Sequence, residues 1–211
     1  MAHLARLSLV KSLLNESGTS FDNDLKLVIE SVSEFVESYC RRELESQTFS
    51  NEYYTGDGSH ELWLDNYPVT SVTSVAIWDG DDSYDTESSD YYELIDDRYL
   101  YYPKLGEEDN ATWANWYSGI PNNIKVTYVA GYDTSDWDTA ALTDSFGVPA
   151  DLEMAVAKLA VLSFKDSRKD HALLGVSAKS YGVESITVDT FEKGIPDDVL
   201  NVLNSYRRIL V

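Results

Sequence analysis

Three histidines, His3, His60 and His171, are the chain's whole stock of imidazole for metal ligation or nucleophilic catalysis. They fall in an N-terminal tail, a turn between strand-like runs and the exit of a helical stretch. No two share a ligand spacing, so a His-metal site or a Ser-His-Asp triad would need long-range convergence. No Gly-rich phosphate loop opens a helix, and no G-x-S-x-G elbow is present. Carboxylates are the abundant chemistry. Asp79, Asp81, Asp82, Asp85, Glu87, Asp90, Glu93, Asp96 and Asp97 crowd one stretch. Alternating oxygen ligands can bind calcium, yet the Asp-x-Asp-x-Asp-Gly pattern with a distal Glu is absent, and a solvated acidic loop is the plainer account. Acids near Trp113, Trp116 and Trp137 suggest a sugar-processing cleft, since glycosidases use two carboxylates and sugars stack on aromatic faces. Carboxylates this numerous pair by chance, however, and the aromatic residues alternate as strand faces do, which favours core packing. The sequence thus assigns no catalytic, cofactor-binding or metal-ligating residue.

The elements that would position any site come in a distinctive order. Leu4, Leu7, Val10, Leu13 and Leu14 recur at helical spacing and predict a short helix ending near Gly18. Thr19 or Ser20 is expected to cap a second helix with Asp22 and Asp24 in its first turn, where the dipole favours carboxylates. Leu25, Val28, Val32, Phe35 and Tyr39 would form its apolar stripe, and Arg41-Arg42 closes it. From Thr48 the period changes. Thr48–Tyr54 and Glu61–Leu64 read as a hairpin about Gly56-Asp57-Gly58. Val69, Val72, Val75 and Ile77 predict a bulged strand, followed by candidates at Tyr91–Ile95, Tyr99–Tyr102 and Ile124–Ala130. A partly closed antiparallel barrel is one form they could take.

Val148-Pro149 then opens a helix through Phe164 that is apolar on nearly every face, with small residues at Ala155, Ala157 and Ala160, so it should be buried centrally or between subunits. Gly175–Thr190 reads as a loop with a short strand or arm over Val183–Val188. Ile195-Pro196 opens a last helix carrying Val199, Leu200, Leu203 and Tyr206 and ending in Arg207-Arg208. The expected fold class is α+β: a bundle of about four helices, residues 1–45 and 148–211, with a small antiparallel β module with acidic loops inserted as residues 46–147.

Thirty-seven acids against sixteen Lys and Arg give a net charge of −21. Such a field repels nucleic acid and excludes a conventional phosphate-gripping protein. The single cysteine, Cys40, excludes an intrachain disulfide and a Cys-based zinc site. The N-terminal apolar runs are too short for a secretory signal or a membrane span, so synthesis in the cytoplasm and no membrane partner are expected.

Four segments in order resemble the head–tail connector (adaptor) proteins of tailed bacteriophages. They are Val36-Glu37-Ser38-Tyr39-Cys40-Arg41-Arg42; Tyr54-Thr55-Gly56-Asp57-Gly58-Ser59 leading to Leu62-Trp63-Leu64 and Tyr67-Pro68-Val69; Ile124–Tyr132 followed by Val148-Pro149-Ala150-Asp151-Leu152; and Gly175-Val176-Ser177 through Tyr206-Arg207-Arg208. The resemblance implies a structural virion protein at the head–tail junction and no enzyme. It implies a ring, commonly dodecameric, under the portal protein, extending the channel through which double-stranded DNA passes without sequence-specific binding. The ring would dock a stopper or tail-completion protein. On this reading Val183, Ile186, Val188, Val199, Leu203, Tyr206, Arg207 and Arg208 are candidates for portal binding, and Ala155, Leu159 and Leu162 for the subunit interface. The long acidic insert at Asp79–Asp97 and the Lys104–Ser118 segment depart from the family pattern. A carbohydrate- or calcium-binding β module on a helical base, of adhesion type, is the alternative, and a two-carboxylate enzyme is the third reading.

Overall fold

The computed structural model describes residues 2–80, 83–102, 116, 119–168, 178–181, 184–187 and 195–208. It divides into two compact units, one of residues Met1–Arg41 with Thr134–Val211, the other of Arg42–Asp133. The class is α+β, with helices in the first unit and small antiparallel sheets.

The helical unit holds α1 (Leu7–Leu14), α2 (Asp22–Cys40), α3 (Ala150–Ser167) and α4 (Asp197–Tyr206). Both α1 and α2 end on a non-glycine residue in the left-handed region, Asn15 at φ 56° and Arg41 at φ 58°, whose N–H groups turn back to carbonyls of the last turn. The N-cap of α2 is Phe21, with no side-chain cap bond, rather than Thr19 or Ser20. Its first turn does carry Asp22 and Asp24. The buried face is Leu25, Ile29, Val32, Ser33, Val36 and Cys40. That face is displaced from the expected stripe: Phe35 is 47% exposed, and Tyr39 is half-buried, its hydroxyl donating to Asn204 Oδ1 at 2.8 Å. Large aromatic rings drew the sequence reading toward positions that the packing leaves at the rim. Ser33 is accommodated in the core because its hydroxyl accepts the Leu4 N–H at 2.9 Å.

Helix α3 is buried on most of its circumference, through Leu152, Ala155, Val156, Leu159, Ala160 and Phe164 among others. It is not apolar all round. Asp151, Met154, Lys158, Leu162 and Lys165 form one outward stripe. Glu153 in its first turn is only 4% exposed, and its carboxylate takes both Nε and Nη2 of Arg6, at 2.8 and 3.0 Å. Arg6 Nη1 also donates to the carbonyls of Ala141 and Asp144, so one guanidinium ties the segment before α3 to the N-terminus.

In the second unit, β1 (Gln47–Tyr54), β3 (Val69–Trp78), β4 (Tyr84–Thr86) and β7 (Ile124–Ala130) form a four-stranded sheet in the order β1-β7-β3-β4. β2 (Glu61–Trp63), β5 (Glu93–Ile95) and β6 (Tyr99–Tyr101) form a three-stranded sheet in the order β2-β6-β5. The expected β1–β2 hairpin is therefore incorrect: β1 pairs with β7 and β2 with β6. β3 has the anticipated irregularity, with register shifts between Val69 and Ser71 and between Val72 and Ser74. Residues of both sheets share one core, including Leu62, Leu100, Val75, Val126, Tyr128 and the fully buried Trp116, so the module is two small sheets closed on a common core rather than a barrel. Gly131 stands at φ 109°, where a Cβ would lie 2.5 Å from the Glu45 carbonyl oxygen, so the chain can pass there only without a side chain. A separate two-stranded ladder pairs β8 (Ala178–Tyr181) with β9 (Glu184–Thr187).

Candidate functional site

The residues that could do chemistry are dispersed into structural tasks. His3 stacks on Trp137 with ring centroids 4.2 Å apart, His60 Nδ1–H donates to the Tyr102 carbonyl at 2.9 Å, and His171 lies outside the described residues. Trp116 is core in the β unit, Trp137 belongs to the helical unit, and Trp113 lies outside the described residues. Among the described residues no group of three His, Cys, Asp or Glu side chains converges as metal ligands.

Two polar arrangements in the β unit were not legible from sequence. In the first, the hydroxyls of Tyr54 and Tyr128 both donate to Glu52 and lie 3.0 Å from each other. They accept the backbone N–H groups of Asp65 and Asn66 respectively. Burial, foremost, raises the pKa of both phenols, that of Tyr128 to about 12. These are protonated donors fixing β1 and β7 to the 65–66 turn, with no reactive group among them. In the second, Arg42 lies 3.7 Å over the Tyr67 ring, Arg98 lies 4.5 Å over the same ring and 5.3 Å over Trp63, and Trp63 packs on Tyr99 at 4.7 Å with the rings tilted by 30°. The alternation of cation and ring ties Tyr67, Trp63 and Tyr99 together, while Trp63 keeps about half of its surface exposed.

The surface candidates lie mainly in the helical unit. Val199 and Leu203 of α4 are buried, which fastens that helix to its own subunit. Tyr206 donates to Asp151 at 2.7 Å, Arg207 lies 5.5 Å over the Tyr39 ring, and the Arg208 N–H donates to the Cys40 carbonyl at 2.9 Å. The end of α4 is thus a small aromatic and cationic surface against α2. Ile186 falls in β9, while Val183 and Val188 lie outside the described residues. On α3, Ala155 and Leu159 are covered by the subunit itself, whereas Leu162 is 40% exposed. Sequence reasoning missed Met154, 36% exposed on the same stripe, and Leu27, 65% exposed on α2. Their signal is apolar residues spaced a helical turn from charged ones on a face otherwise polar.

The family model described as head completion protein matches residues 4–209. Among solved structures, a chain from the neck of an empty gene transfer agent (GTA) particle, computed with C6 symmetry, is similar at 18% identity and a TM-score of 0.55, covering 100% of this chain and 94% of that one. A chain from the neck of a native GTA particle, computed with C12 symmetry, is similar at 16% identity and a TM-score of 0.53, with the same coverage. No curated protein matches the chain.

Proposed function

Because the chain belongs to the head completion protein family, a head–tail connector family, we propose that it is a non-enzymatic subunit of a ring beneath the portal of a phage-like particle. In that position it extends the DNA channel and docks the next connector or tail component. The observation that carries the reading is the match over residues 4–209, which spans both units rather than one. The likeness in fold to chains from GTA necks, one computed with C6 and one with C12 symmetry, supports a ring, and the C12 neck supports a count of twelve.

The portal contact is assigned to the arm carrying Val183, Ile186 and Val188 and to the outer end of α4, Tyr206 to Arg208. Val199 and Leu203 act there by seating α4, since their own surfaces are covered. A net charge of −21 per subunit, repeated around a ring, leaves no attraction for a polymer carrying one negative charge per about 1.7 Å of axis, so DNA passes without being held. Filter binding at low salt should then retain no duplex DNA on the assembled ring; tight retention would refute the channel argument.

The test of the whole reading is the mass of the purified chain, measured alone and after mixing with the portal ring of the same genome. A discrete ring, free or on the portal, is expected. A monomer indifferent to the portal would overturn the proposal.

A further inference from the structure

The outward faces of α2 and α3 match each other. The exposed stripe of α2 carries Asp24, Leu27, Ser31 and Phe35, with the exposed Glu34 beside it; that of α3 carries Met154, Lys158, Leu162 and Lys165. On α2 the small polar Ser31 lies between two exposed apolar residues, Leu27 at 65% and Phe35 at 47%, and the charges on this face are acids. On α3 a lysine lies between Met154 at 36% and Leu162 at 40%, and a second lysine follows one turn on. The apolar residues of each stripe stand two turns apart, about 12 Å. Each helix buries its other faces inside its own unit, so within one subunit these two stripes do not cover each other.

We propose that the α3 stripe of one copy docks antiparallel on the α2 stripe of the next. In that register Leu162 meets Leu27, Met154 meets Phe35, and Lys165 meets Asp24. Lys158 meets Ser31, whose small side chain leaves room for the lysine stem to reach Glu34 one turn away. The parallel register that also matches the apolar residues sets Asp151 against Asp24, a like-charge contact, and lays the two helix dipoles side by side in the same sense. Lys158 already holds Asp198 at 2.6 Å in an exposed pair, so it meets Glu34 as a cation shared between two carboxylates. The occupant is a second copy because the two stripes are complementary in both charge and apolar spacing, and because so acidic a chain needs local cation–acid pairing to offset repulsion between copies. The contact joins two different surfaces, so each added copy leaves one stripe open for the next, as a closed ring requires. This inference rests on the ring reading above and names its interface.

The full chain carrying Leu27→Cys with Leu162→Cys should form a ladder of disulfide-linked oligomers under mild oxidation, alone or on the portal ring. The Leu27→Cys, Met154→Cys chain, which reports the parallel register, should not. Native Cys40 is buried and serves as the silent background in the wild-type chain. Asp24→Lys and Lys165→Glu should each weaken assembly about tenfold or more, and the two together should restore it. If oligomers form but show no 27–162 ladder and no charge-swap rescue, this interface is wrong and the connector reading stands. A ladder from the 27–154 pair also overturns it. If the wild-type chain stays monomeric both alone and with the portal, the connector reading fails and takes the interface with it.

Discussion

The two units use their scarce cations differently. In the helical unit Arg6, Lys11, Lys26 and Lys158 each meet a carboxylate, Glu153, Asp22, Asp138 and Asp198. In the β unit Arg42, Arg98 and Lys125 lie over the rings of Tyr67, Trp63 and Tyr84. The helical unit also sets Arg6 over Phe146, Lys26 over Trp137, Arg168 over Phe21 and Arg207 over Tyr39, so there cation–ring contacts add to the ion pairs. The contrast follows from what each element type supplies. Helices crossing at their ends bring acids near basic side chains, whereas short twisted strands rich in Tyr and Trp offer faces on which a guanidinium can lie. Exposed ion pairs are screened by salt, while a cation packed on a ring retains the apolar contact of its stem.

The comparison can be broken most forcefully in each core. Trp116→Ala removes a fully buried ring and its Nε1–H donation to the His60 carbonyl, and should cost about 3–5 kcal/mol. Hydrogen-exchange mass spectrometry should show protection lost across residues 42–133; uniform loss elsewhere with none there would contradict the assigned core. Glu153→Ala strands Arg6 beside the α3 N-terminus and should cost about 3 kcal/mol, with exchange rising first in the helical unit. Gly131→Ala forces a Cβ against the Glu45 carbonyl at an unfavourable φ and should cost roughly 1–3 kcal/mol, read as a lower urea midpoint.

A pH series sharpens the contrast further. Burial raises the Tyr128 pKa to about 12, above its ordinary value near 10. Below pH 10 folded and unfolded chains are both protonated there. Above it the unfolded phenol ionises first, so stability should fall as pH rises from 10 toward about 12. Tyr128→Phe should flatten that slope in urea titrations; an unchanged slope would remove Tyr128 as its source. The smallest effect is expected from Asp138→Asn, whose pair with Lys26 is half-exposed at the surface. It should change stability by roughly 0.5 kcal/mol or less, and salt should erase the difference.

Helix existence and the change of period at Thr48 were legible because both depend on local patterning. The β1–β2 hairpin was misread because Gly56-Asp57-Gly58 is a turn signal without information on partners; β1 finds its partner in Ile124–Ala130, far along the chain. In α2 the aromatic positions Phe35 and Tyr39 suggested a face that Ile29, Val36 and Cys40 actually form, since neighbouring stripes of a helix differ by a single residue. For α3 the density of Ala, Val and Leu hid the outward line of Met154, Lys158 and Leu162. The Glu52–Tyr54–Tyr128 cluster was invisible because its members are brought together by strand register, which no spacing records.

Cys40 lies fully buried at the end of α2, its Sγ 3.7 Å from the Leu203 carbonyl of α4 and its own carbonyl bonded to Arg208. Its thiol is therefore a clock for the last helix. A disulfide reagent reaches it only when the packing around it opens, and because α4 is part of that packing, a partner that clamps α4 should slow the clock.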